Sequence, residues 1–269
     1  MIHETYKLNS GYEIPRIGFG TLMLPKESAT QIIADAISAG YRHIDTAVAY
    51  QNEVNVGEAV RVSGVPREEI FITTKIPPMV KSYEGARETI RQSLDRLQIG
   101  YIDMVLIHGP KPVPFEDTPE RYFEENLQVW KAMEEAVEEG LVRSIGVSNF
   151  DDVDVANIVE NGKIVPAANQ IRVHIGDVPR KTMDYCQANG ILIEAYSPLG
   201  QGRISGSEAV KEMAGKYGVS VQQLGIRFDL QLGTLPLPRT TTKAHMINNA
   251  EVDFEISEED METLLAVTL

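Results

Sequence analysis

The chain has 269 residues, 43% of them apolar, which is enough for a large core and suits one parallel α/β barrel domain over 1–269, a fold of about 250 residues. A formal net charge of −14 excludes nucleic acid and an anionic membrane surface as expected partners, since neither offers positive charge to meet it. With Cys186 its only cysteine, no leader-like start in MIHETYKLNSGYEI and no apolar run of roughly 20 residues, the chain reads as a cytoplasmic protein without a disulfide framework.

In chain order, YKLNSGYEI reads as a short β-hairpin with Asn9-Ser10-Gly11 as its turn, placed to plug one end of a barrel. Short apolar runs then alternate with helical patterns. Ser28-Ala-Thr-Gln31 has the form of a capping box, and Ala29, Ile32, Ile33, Ala36 and Ile37 follow at helical spacing until Gly40 stops the helix. Further helices are predicted over 53–62, 85–97, 124–139, 152–159, 179–188 with Pro179 in the first turn, 207–216 and 221–232. A last helix follows Ser257. The candidate strands are IGFG, RHID, IFITTK, DMVLIH, RSIGVS, PAANQI, ILIEAY and TLPLP. Eight strands with helices between them, and no composition break, point to a parallel (β/α)8 TIM barrel. Extra helices are placed after strand seven and at the carboxyl end; an open doubly wound sheet is the rival.

Asp45, Lys75 and His108 sit at the carboxyl tips of buried apolar runs, where barrel enzymes keep their chemistry. A lysine and an aspartate cannot be buried there unpaired, so a Lys75–Asp45 ion pair with Tyr50 nearby is the economical arrangement. Reducing a carbonyl needs a hydride donor and an acid within hydrogen-bond reach of the oxygen. Tyr50 can be that acid: its unperturbed pKa is about 10, and the Lys75 ammonium is expected to lower it toward working pH. His108 can donate to the same oxygen and orient it. Taken singly, each residue is as readily structural. The five histidines, 3, 43, 108, 174 and 245, are too scattered for a ligand motif, so no metal is expected.

Together with GVSNF, AANQI, EAYSPLGQG and PRTTTKAHMINNAE, the quartet resembles the aldo-keto reductase family over essentially the whole chain. The resemblance implies a (β/α)8 barrel that binds NADPH without a Rossmann unit and makes Asp45, Tyr50, Lys75 and His108 the catalytic residues. It places Thr21 and Leu22 beside the cofactor, Ser148, Asn149 and Gln170 on the nicotinamide carboxamide, and Tyr196 against the ring. Ser197, Leu199, Gly200 and Gln201 would lie along the pyrophosphate, and Arg239, Thr240, His245 and Asn249 at the adenosine end. Bland alternatives stay open: Ser148 and Asn149 as a helix-cap pair, SPLGQG as an ordinary turn. Arg239 and Thr240 suit a 2′-phosphate, so NADPH is expected over NADH. His245 stands where the family has arginine, which softens that preference and allows NADH.

Leu22, Val48, Pro77 and Gly109 occupy substrate-pocket positions that are often aromatic in the family, which implies a wider pocket here. GPKPVPFEDTPERYF would be a loop over the mouth, or Phe115, Tyr122 and Phe123 would merely pin it down. The few residues after the last expected helix lead to the expectation that the longer terminal loop that closes the pocket in many relatives is missing here. A short-chain dehydrogenase is disfavoured, because Tyr50 lacks a lysine four residues on and GFGTLM is not GxGxxG. A Schiff-base lyase using Lys75 and a cofactor-sensing binding subunit remain as rivals. The expectation is a monomeric carbonyl reductase of the alcohol dehydrogenase class acting on a small-molecule aldehyde or ketone.

Overall fold

The computed structural model describes residues 2–112 and 119–269. Strands β1 (Thr5–Lys7) and β2 (Glu13–Pro15) pair antiparallel as the expected hairpin. From it Leu8 and Ile14 bury against Phe71, Met104, Leu106, Ala168, Leu235 and Leu237, and Ser10 Oγ lies 2.8 Å from Ser144 Oγ. The hairpin therefore seals the inner face of the second sheet with apolar contact.

That sheet holds eight parallel strands in chain order: β3 (Phe19–Gly20), β4 (His43–Asp45), β5 (Phe71–Ile76), β6 (Ile102–Ile107), β7 (Val142–Ser148), β8 (Ala168–Arg172), β9 (Leu192–Tyr196) and β10 (Leu235–Leu237). All six residues of β5, and all six of β6, are buried, as expected where helices cover one face and the barrel interior the other. Gly18 N donates to Pro236 O at 3.1 Å and Gly20 N to Pro238 O at 3.0 Å, joining the two ends of the sheet. A Cβ at Gly18 would come within 2.5 Å of both the His43 and the Leu237 side chains, so this closure requires glycine.

The helices are α1 (Ala29–Ser38), α2 (Glu53–Val62), α3 (Tyr83–Leu97), α4 (Phe123–Glu138), α5 (Asp152–Asn161), α6 (Arg180–Ala188), α7 (Glu208–Tyr217), α8 (Val221–Gln231), α9 (Lys243–Ala250) and α10 (Glu258–Leu265). Pro179 caps α6 rather than opening its first turn. The Ser28–Gln31 capping box does not form. Ser28 lies in a turn whose N–H bonds to Pro25 O, its hydroxyl caps nothing, and Gln31 reaches forward to Asp35 at 3.0 Å. A complete box stands at Ser220–Gln223 instead. Helix α9 was not among the expected helices: in KAHMINNA only Met246 and Asn249 are buried, leaving too thin an apolar stripe to read. Among the described residues no helix is long and apolar enough to cross a membrane, and no cluster of side chains could hold a metal ion.

Candidate active site

The carboxyl ends of the barrel strands bring the quartet together. Asp45 ends β4, Lys75 is the penultimate residue of β5, His108 follows β6, and Tyr50 closes a short 3-10 turn, Val48–Tyr50, after β4. Lys75 Nζ donates to both Asp45 carboxylate oxygens at 2.7 Å and to Thr46 O at 2.8 Å, and the Tyr50 hydroxyl also interacts with this ammonium. Burial by itself would pull the lysine pKa down, but the facing Asp45 carboxylate outweighs it, and the net direction is up. Lys75 is a buried cation.

The Lys75 ammonium lies 5.1 Å from the centre of the Tyr50 ring, which meets the His108 ring edge to face at 5.7 Å. The expected lowering of the phenol pKa does not hold. Burial pushes it above the ordinary tyrosine value, and the downward pull of Lys75 is partly cancelled by Asp45. A pair with no net charge cannot acidify its neighbour as a bare cation would. Burial, then the Lys75 charge, holds His108 down at about 3, so its ring is neutral and carries one N–H. Its Nδ1 is buried without a hydrogen-bond partner among the described residues.

Below this pair lies Glu194, which sequence reasoning passed over, tied to Asp45 through the expected Gln170. Gln170 Nε2 donates to Asp45 Oδ2 at 2.8 Å and to Glu194 Oε2 at 2.6 Å, so its amide nitrogen is committed to two carboxylates. Only its carbonyl oxygen is left to meet an amide ligand. The signal for Glu194 was present: a lone acid inside the apolar run ILIEAY. Asn52 was missed as well. It accepts from Thr46 Oγ1 at 2.5 Å and donates to Thr21 O at 2.9 Å, while Thr21 Oγ1 donates to Asp45 O at 2.9 Å.

The nicotinamide candidates form a connected chain. Asn149, at φ +61°, donates to His108 O at 3.0 Å and accepts from the Tyr196 hydroxyl at 2.9 Å; Ser148 Oγ donates to Gln170 O at 2.9 Å. They are not a helix-cap pair, because Asp151 caps α5 through Asp154 N. In the loop after β9, Ser197, Gly200, Gln201 and Gly202 all have positive φ. The His174 ring lies 3.3 Å from where a Gly200 Cβ would stand, and Arg203 bridges Gly200 O and His174 Nε2, each at 3.2 Å. This is no ordinary turn: the left-handed backbone is braced from beneath, leaving a surface that a phosphate group can approach closely. With a half-buried Tyr196 ring beside it, this end of the barrel fits a nicotinamide dinucleotide. Leu199 is half-buried and Gln201 exposed.

Arg239 and Thr240 leave β10, and His245 and Asn249 share one face of α9 four residues apart. Arg239 is exposed and Nη1 reaches Met23 O at 3.4 Å; Thr240 Oγ1 accepts from Thr242 N; His245 is exposed and Asn249 buried. The expected pocket residues follow successive strands: Leu22 exposed, Val48 and Pro77 half-buried, Gly109 buried with its carbonyl accepting from Lys81 Nζ at 3.0 Å. Met23, next to Leu22, and Met79, two residues after Pro77, are exposed apolar side chains that the sequence did not mark. Of the expected mouth loop, residues 113–118 with Phe115 lie outside the described residues; Tyr122 is the residue before α4 and Phe123 its first.

Residues 16–268 match the Aldo/keto reductase family. The chain belongs to that family. A glyoxal reductase of Bacillus subtilis is 37% identical over 268 residues, covering 99% of this chain and 93% of the relative. An aldo/keto reductase structure from Brucella melitensis is 33% identical, with a TM-score of 0.91 over 98% of this chain and 97% of the other. A Bombyx mori aldo-keto reductase, solved in complex with NADP, is 32% identical, with a TM-score of 0.89 over 98% of this chain and 92% of the other. As an aldo/keto reductase the protein is a carbonyl-reducing oxidoreductase, of a family that uses nicotinamide cofactors.

Proposed function

We propose that this aldo/keto reductase reduces an aldehyde or ketone to the alcohol, prefers NADPH and accepts NADH more weakly, with Tyr50 as the proton donor. The observation that carries the reading is the buried Lys75 ammonium, held by Asp45 and Thr46 beside the Tyr50 ring. A raised phenol pKa keeps Tyr50 protonated at working pH, and the phenolate left after proton transfer is stabilised by the nearby ammonium. Neutral His108 offers one N–H to the carbonyl oxygen and orients it. Bound reduced nicotinamide would supply the hydride. Tyr196, Asn149 and Ser148 would hold its ring end, the Ser197–Gln201 backbone its diphosphate, and Arg239, Thr240, His245 and Asn249 its adenosine end, with Thr21 and Leu22 alongside. The three hydrogen bonds of Lys75 disfavour the imine mechanism, which needs a neutral, free amine.

The non-aromatic Leu22, Val48, Pro77 and Gly109 suit substrates without a flat aromatic body, and the Bacillus relative's name points the same way, to a small dicarbonyl. A cofactor-oxidation screen over aldehydes, dicarbonyls, keto-sugars and ketosteroids, run with each cofactor, tests the reading. Turnover of none of them, with cofactor still binding, would favour a cofactor-sensing subunit instead.

A further inference from the structure

The proposed chemistry leaves one buried carboxylate of the barrel interior unused. Glu194 on β9 is 0% exposed, Oε2 accepts from Gln170, and Oε1 has no hydrogen-bond partner among the described residues. Around it stand Asp45 from β4, Lys75 from β5 and Gln170 from β8; across from it on β10 is apolar Leu235. His43, two residues before Asp45, is held neutral by burial and by Lys75, so it brings no charge. One ammonium therefore faces two carboxylates. An ionised carboxylate with an orphan oxygen in such a site costs several kcal/mol, and the neutral acid far less. Burial first, then the Asp45 charge, pushes Glu194 up to about 7.

We propose that Glu194 is a positioning residue for proton transfer: when neutral it leaves Lys75 and Asp45 a balanced pair, tied down through the Gln170 amide, and when ionised it adds a negative charge that weakens Tyr50 as an acid. The inference rests on the reading of Tyr50 as proton donor, so its test has two readouts.

Glu194→Gln keeps the shape of the neutral acid and cannot ionise. The first readout is thermal stability against pH, which needs no catalysis. A carboxyl whose ordinary value is 4.5 and whose folded value is about 7 contributes stability that is full below 4.5 and is lost as pH rises toward 7. The Tm of Glu194→Gln minus that of wild type should therefore climb from pH 5 to 7 and then level. A difference that does not change with pH overturns the neutral Glu194.

The second readout is kcat for carbonyl reduction. In wild type it should fall roughly 3- to 10-fold through neutral pH, the Brønsted consequence of making Tyr50 a weaker acid. Glu194→Gln should lack that limb. Glu194→Leu should lack it too but turn over more slowly at every pH, because it cannot accept from Gln170. The limb persisting at the same midpoint in both variants severs Glu194 from Tyr50. A wild type without turnover whose Tm trend holds would count against the proposed reaction, and with it against any part for Glu194 in catalysis.

Discussion

The Tyr50 and His108 rings meet edge to face, 5.7 Å between centroids with their planes at 74°, although they leave different strands of the barrel. Two polar side chains from different strands, held this close, can address one oxygen atom together, which a single strand end cannot do. This pairing, with Lys75 behind it, gives the site its expected sensitivity to substitution.

Tyr50→Phe removes the proton donor and almost no surface. Carbonyl reduction should fall by about 10² to 10⁴, the usual worth of general acid catalysis, while cofactor Kd hardly moves. Steady-state kinetics with fluorescence titration of the cofactor checks both halves. Wild-type turnover in the variant would remove Tyr50 from the role.

Lys75→Met should damage both activity and stability. It deletes the charge beside the phenol and leaves Asp45 buried with only Gln170 as a side-chain partner, a loss of about 3 to 5 kcal/mol for breaking a buried pair. Urea unfolding measures it. Lys75→Met, Asp45→Asn together should recover part of the stability and none of the activity.

Acid should destabilise the protein through its buried histidines. His43 and His108 are each held at about 3 in the fold against an ordinary 6.5, so between those values the unfolded chain binds protons that the folded one refuses. Stability is therefore lost as pH falls through that window, by about 1.4 kcal/mol per unit for each ring. His43→Gln can keep a hydrogen bond to Thr73 and should lessen the slope by one such share. Parallel slopes for variant and wild type would show that His43 does not titrate in this way.

Arg239→Ala should weaken NADPH roughly 10- to 100-fold more than NADH, the worth of one charge-assisted hydrogen bond to the 2′-phosphate. Among the described residues the one hydrogen bond of the exposed Arg239 side chain is a long contact to Met23 O at 3.4 Å, which a phosphate can replace. His245→Arg, on the exposed face of α9, should raise the preference, more so at low salt. Equal losses of both cofactors in Arg239→Ala would place the arginine away from the phosphate.

Gly109→Trp should impair bulky carbonyl substrates more than small ones. A Cβ there would meet Pro78 at 3.4 Å and Lys111 O at 3.9 Å, ordinary contacts that admit a side chain. Comparing kcat/KM for a short aldehyde and a ketosteroid decides it; equal losses would mean that residue 109 does not border the substrate.

The barrel was legible because strands buried on both faces must be continuous apolar runs, as in FITTKI and IDMVLI, and because glycines and helix caps punctuate the segments between them. The same runs displayed Asp45, Lys75 and His108 at their ends, so the family resemblance and the Lys75–Asp45 pair could both be read from order along the chain. Helix α9 could not, since two buried residues make no period.

What only the tertiary structure decided is electrostatic. Gln170 reaches Asp45 across 125 residues of sequence, Glu194 joins them from the next strand, and the phenol of Tyr50 is raised rather than lowered because burial and Asp45 together outweigh Lys75. A sequence names the charges, but a pKa is set by desolvation and by distances of a few ångströms between side chains that only the closed barrel brings together.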